Sequence, residues 1–214
     1  MGGALADEGK PYNHSMVESP HPTAVKLMDT VSTMLDSDNP HDILVDEVLR
    51  ISGVSRGSLY HHFGDFPGLI HATLLRRFSQ NVEADTRAMW NIAEHADSQE
   101  SYWSKIRQLS AATQVPERAP IRAERARLVS LASSDDHFAQ ALAREQERLT
   151  QGISDAIALA QSKGWVKAEL SPLAISVFLQ AYSLGRAVDD ISERRVPNDD
   201  WVRLIESVLT SFES

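Results

Sequence analysis

Residues 51–68 read ISGVSRGSLYHHFGDFPG. An apolar helix end reaches Gly53, which can turn the chain, and Ser55 is a preferred N-cap for the short helix that follows. In that short helix Val54, Leu59 and Phe63 are spaced to face a core. Arg56, Gly57, Ser58, Tyr60, His61 and His62 remain for the outer side. Two helices joined by a Gly-containing turn make a helix-turn-helix, whose second helix can enter a major groove. The outer side has suitable chemistry. Arg56 can donate to guanine edges or phosphates. Ser55, Ser58 and Tyr60 can donate to phosphate oxygens. Gly57 removes a side chain, so a duplex could come close.

Outward from this stretch, nearly everything reads as helix. A first helix starts near Pro22, because Pro suits the first turn, and carries Val25, Met28, Val31 and Leu35 on one stripe. DSDNP breaks it, and Asn39 with Pro40 predicts the start of a second helix. Asp65, with Pro67 in the first turn, predicts a fourth helix with no breaker before Asp97. Ser98 caps a helix to about Thr113. QVPERAP reads as a loop, and helix resumes over 121–131. Asp135 and Asp136 close a capping cluster before a long helix to Ser162, which Gly164 stops. Ser171 and Pro172 begin the next helix. RRVPNDD precedes a last one capped by Asn198, with Asp199 and Asp200 placed to meet its dipole. This is an all-α chain of about nine helices. Residues 1–20, rich in Gly, Pro, Ser and His with no apolar period, read as a disordered tail.

Composition narrows the function classes. The chain has 214 residues, 42% hydrophobic and 24% charged, which is ordinary for a protein that builds a core. No cysteine is present, so disulfides and thiolate metal sites are excluded. No secretory leader and no run of ~18 apolar residues is seen, so the expected location is the cytoplasm, away from the membrane. A net charge of −9 argues against nucleic acid for the chain as a whole, though not for a local basic patch.

The stretch SGVSRGSLYHHFGDFPGLI, in register for turn, cap, core and aromatic positions, resembles the TetR family of bacterial transcriptional regulators. The close resemblance spans about 43–75. It implies an N-terminal three-helix helix-turn-helix DNA-binding domain over 21–75 and a larger helical effector-binding and dimerisation domain over 76–214. Ser55, Arg56, Gly57 and Ser58 fall on the start of its recognition helix. Tyr60 and His61 fall where the family commonly meets DNA, while His62 matches a position that supports the fold. The sequence also departs from the pattern. Phe66 stands where a phosphate-contacting Lys is usual. Ile43, Leu44 and Val45 stand where a Thr or Ser is usual, and Leu49 replaces a small Ala. Lys26, Arg50, Arg76 and Arg77 are the cations available to compensate. The resemblance implies a dimeric repressor, without cofactor, released from a palindromic operator by a small apolar or aromatic effector. Its departures and acidic charge also fit a second reading, a helical sensor or interaction protein that has lost DNA binding.

In the larger part, Val177, Ala181, Leu184, Val188 and Ile191 recur at helical spacing, as do Trp201, Ile205, Val208 and Phe212. The two stripes predict a four-helix dimer interface, with Ala181 and Gly185 permitting close approach. Met89, Trp90, Trp103, Phe138, Phe178 and Tyr182 are the candidates to line an apolar effector pocket, with Phe78 and Tyr102 beside them and Gln180, Arg186 and Asn91 as polar contacts.

No catalytic set is found. Asp135, Asp136 and His137 are adjacent and point around a helix rather than converging, as do His61 and His62. His14, His21 and His41 lie in or near loops. Ser nucleophile elbows and phosphate loops are absent. AREQER at 143–148 reads as a charged helix face. The expected class is therefore not an enzyme and needs no metal.

Overall fold

The structure is a computed structural model that describes residues 21–214. The tail expected over 1–20, with His14, lies outside the described residues. The helices are α1 (Pro22–Met34), α2 (Val45–Ser52), α3 (Arg56–Phe63), α4 (Phe66–His95), α5 (Gln99–Gln114), α6 (Ala119–Ala132), α7 (Asp136–Ser162), α8 (Pro172–Gly185), α9 (Ala187–Asp190) and α10 (Asn198–Thr210). Nine of them have two turns or more, and α9 is a single turn. Among the described residues the one β-type pairing is an isolated antiparallel bridge between Val166 and Glu213.

Local chemistry fixes most helix starts. Ser55, Ser98, Asp135 and Ser171 each accept a hydrogen bond from the backbone N–H three residues on, at 3.2, 3.1, 2.9 and 3.3 Å. Asp65 does the same for Gly68 at 2.7 Å. Gly53 and Gly164 stop their helices at φ 62° and 76°, a left-handed backbone that L side chains avoid.

Three starts differ from expectation. Helix α2 begins at Val45, not near Pro40. Asn39 instead closes a turn on Asp42, through Asp42 N–H to Asn39 O at 2.9 Å and Asn39 Nδ2 to Asp42 Oδ2 at 3.3 Å. Ile43 then runs into the core, and the extended Leu44 occupies the cap without a side-chain hydrogen bond. The expected QVPERAP loop holds a 3₁₀ turn over Pro116–Arg118 that feeds directly into α6. In α10 the cap position is Pro197, and Asn198 is already helical with its Oδ1 buried and unpartnered among the described residues.

The chain divides into two compact units, the first ending at Ile70 and the second starting at His71, inside α4. In the first, Leu27, Val31, Val48, Leu59 and Leu69 are completely shielded from water. In the second, α7 and α8 pack along each other, with α6 against α7 and α10 against α5. At Gly152 the α7 backbone passes so close to Thr86 of α4 that a Cβ would lie 2.6 Å from its methyl group.

Candidate functional site

In the first unit, α2, the Gly53 turn and α3 place the sequence-predicted residues as follows. Leu59 is fully buried and anchors α3. Arg56, Gly57, Tyr60 and His61 are exposed, Ser58 and His62 are half-buried, and Ser55 is exposed at the cap. Leu44, at the start of α2, is 64% exposed, and Phe66, at the start of α4, is half-buried. An outer face of α3 thus combines an Arg, a Gly, a Tyr and a His around an exposed helix start.

The electrostatics of this face are unusual for a phosphate-binding surface. Between His21 and Ile70 stand three Lys or Arg residues against seven Asp or Glu. Two of the three cations are already engaged. Arg56 pairs with Asp46 of α2, and Tyr60 and then Asp46 push its guanidinium above the ordinary value. Arg50 lies 3.5 Å from Glu47. Lys26 extends from α1 to the turn, its Nζ 3.9 Å from where a Cβ on Gly53 would be. His21, the N-cap of α1, stacks on His62 at 5.0 Å, and His61 meets His62 edge-on at 5.0 Å. Desolvation first, then His21 and His61, hold the His62 imidazole below its ordinary value. This contact of three rings was missed in the sequence because His21 lies 41 positions before His62.

In the second unit two neighbouring cavities open between α4, α5, α6, α7 and α8. The larger is about 230 Å³, walled by Phe78, Leu128, Leu142, Val177 and Leu184, with Arg125, Gln146, Thr150 and Gln180 as its polar groups. The smaller is about 90 Å³ and includes Asp85, Met89, Ser110, Leu149 and Tyr182. Arg125 and Gln180 line both. Asp85 is open to water yet surrounded by protein, as at a concave mouth, and burial pushes its carboxyl up against the pull of Arg125 and then Arg118. Burial likewise lowers the Arg125 guanidinium, opposed by Asp85.

Of the six pocket candidates, Met89 and Tyr182 line the smaller cavity. Trp103 is buried, donates from Nε1 to Trp165 O at 2.9 Å, and borders a 20 Å³ void. Phe178 packs on Tyr182 and Phe212, at 5.5 and 5.8 Å. Phe138 is core, against His71 at 5.1 Å, and Trp90 is 41% exposed and lines no described cavity. Of the polar candidates, Gln180 lines both cavities, Asn91 is exposed, and Arg186 is buried over Trp201. Asp85 and Arg125 were missed, although a signal existed. Asp85 interrupts the apolar stripe Phe78, Val82, Met89, and Arg125 sits midway between the buried Arg122 and Leu128.

The two dimer stripes also separate. In α10, Ile205 is buried, Trp201 Nε1 donates to Gln114 Oε1 at 2.9 Å, Phe212 sits edge-on to Phe178, and Val208 is half-buried. That stripe faces the protomer's own core, because amphipathic spacing reports burial without saying by what. On α8, Val177, Ala181 and Gly185 are exposed, Leu184 is half-buried, and Leu173 joins them. Helix α8 ends at Gly185, so the expected continuous stripe breaks there. Val188 falls in α9 and Ile191 just past it, 71% and 86% exposed.

No family model matches the chain, and no curated protein matches it in sequence. Solved structures do match its fold. A Rhodococcus sp. protein described as a TetR-family transcriptional regulator is 22% identical, with 90% of this chain and 98% of that one covered at a TM-score of 0.62. Escherichia coli NemR in its reduced form is 14% identical, with 90% and 98% covered at 0.65. A TetR-family transcriptional regulator from Pectobacterium atrosepticum is 22% identical, with 88% and 91% covered at 0.60. The chain therefore has the all-α architecture of TetR-family regulators along most of its length.

Proposed function

We propose that this chain is a sequence-specific DNA-binding transcriptional regulator, a homodimeric repressor whose second unit binds a small molecule that weakens its hold on DNA. The observation that carries the reading is the α3 face. A capped two-turn helix after a left-handed Gly53 buries Leu59 and turns Arg56, Gly57, Tyr60 and His61 to solvent. That is the arrangement a recognition helix needs to reach base edges and phosphates. A twofold dimer suits a palindromic operator, and the exposed α8 stripe of Leu173, Val177, Ala181 and Gly185 is the surface for it. Val177, Ala181 and Leu184 also wall the larger cavity, so one helix serves both partner and ligand. A ligand there acts only to the degree that it favours one dimer arrangement over another.

The second reading, a sensor without DNA binding, is favoured by one observation. The first unit carries more acid than base, and its α3 arginine is held by Asp46. Selection of bound sequences from random duplex DNA at low and physiological salt separates the two. An enriched palindrome, lost in a folded Arg56→Ala dimer, is the expected result. No enrichment at either salt from a folded dimer transfers the assignment to the sensor.

A further inference from the structure

The larger cavity contains several polar side chains, but nearly all of them bond to each other. Gln146 Nε2 donates to Gln180 Oε1 and to Thr150 Oγ1, the latter at 3.3 Å. Gln180 Nε2 donates to Thr150 Oγ1 and Ser176 O, each at 3.2 Å. In the neighbouring cavity Ser110 and Tyr182 share a hydrogen bond of 2.8 Å. Arg125 is the exception. Its guanidinium lies over the Phe78 ring, 5.5 Å from the centroid. Among the described residues no acceptor reaches it within hydrogen-bonding distance and no carboxylate lies within 4.0 Å. Asp85 acts on it only through its field, and Asp85 borders the smaller cavity alone.

A half-buried guanidinium with open N–H donors in an apolar enclosure is costly unless an anion meets it. Its planar fork matches a carboxylate with two parallel hydrogen bonds. Phe78, Leu128, Val129, Leu142 and Leu184 supply the apolar surface for the remainder of such a molecule. From this geometry we infer that the larger cavity binds an apolar carboxylic acid, its carboxylate on Arg125 and its hydrocarbon or aromatic body against Phe78 and the leucines. The inference rests on the effector reading above for its regulatory consequence, but its binding test needs no DNA.

The test uses the full chain and matched pairs of probes: hexanoate, octanoate and benzoate against hexanamide, octanamide and benzamide. Thermal shift and calorimetry are expected to show binding of at least one acid, about tenfold or more tighter than its amide. Arg125→Gln should remove that preference and leave amide binding alone. Asp85→Asn, which removes a nearby negative charge outside the larger cavity, should keep or tighten acid binding. Equal binding of acid and amide by the unaltered protein overturns the inference, as does binding of none of the six. A folded Arg125→Gln variant that keeps the acid preference also overturns it. The comparison on the unaltered protein holds even if a variant fails to fold. If acids bind through Arg125 but no DNA is selected, the regulator reading fails while this site stands.

Discussion

Asp46, on the neighbouring helix, holds the one arginine of the α3 face. It stands in the first turn of α2, where the helix dipole favours an acid, and its carboxylate takes the guanidinium of Arg56. The pair is exposed, so it is weak and screened by salt. If α3 meets DNA as proposed, the phosphates of a duplex compete directly with it. Replacing Asp46 with Ala frees Arg56 and deletes a charge that repels DNA. Affinity for unrelated duplexes is then expected to rise about two- to fivefold at low salt. The slope of log K against log salt should steepen by about one ion, as for one added phosphate contact. Fluorescence anisotropy on a random duplex reads both. A weaker hold in the Ala variant would instead make Asp46 the residue that aims Arg56 at its target. None of this was visible in the sequence, because a pairing ten positions apart depends on how α2 crosses α3.

The α6–α9 connection is where a short helix is held by charge. Arg122 of α6, 2% exposed, donates Nε and Nη2 to the two oxygens of Asp190 at 2.6 and 2.8 Å, and Nη1 to Thr113 O at 3.1 Å. Arg186, 4% exposed, has Nε and Nη1 without partners among the described residues, so Asp190 and Asp189 offset two buried cations by proximity. Hydrogen bonding from Arg122 is the main reason the Asp190 carboxyl is held below its ordinary value. A carboxyl lowered on folding contributes stability above its unfolded pKa of about 3.9, and that contribution is lost as pH falls through the folded value. Asp190→Asn takes the two-oxygen acceptor from buried Arg122 and leaves Asp189 alone to offset Arg186, and should cost about 3 kcal/mol or more in urea unfolding at pH 7. The gap from the unaltered protein should begin to narrow below about pH 4 and close as pH falls through the lowered folded value of Asp190. A difference under about 1 kcal/mol at pH 7 would mean the pair behaves like an exposed one. Ser55, Ser98, Asp135 and Ser171 were legible because a cap bonds within three residues of itself. Asn39 misled because the same side chain closes a turn equally well, and its amide found Asp42. Arg122 with Asp190 is a meeting of distant helices that no local pattern encodes.

Within the second unit, the two flanks of helix α8 have different neighbours. One flank buries Ile175 and Ser176, with the Ser176 hydroxyl donating to Thr150 O at 2.8 Å. The other leaves Leu173, Val177, Ala181 and Gly185 open, with Val188 beyond the helix end. An exposed apolar row of this length on an otherwise charged chain calls for a cover. Small residues at Ala181 and Gly185, where an added Cβ on Gly185 meets no atom within 4 Å, allow a second backbone to come near. The α10 stripe cannot supply that cover, because Ile205 and Trp201 are spent on the protomer's own core. The interface test therefore belongs on α8 and α9, at positions that line no described cavity. Leu173→Glu combined with Val188→Glu should give a folded monomer in sedimentation, with helical content unchanged. If the chain regulates by a palindrome, the monomer also loses the gain from binding two half-sites at once, and operator affinity falls by about a hundredfold or more. A double variant that remains a dimer would move the interface off α8. Ligand and partner would then no longer share a helix, and the coupling between them would need a different element.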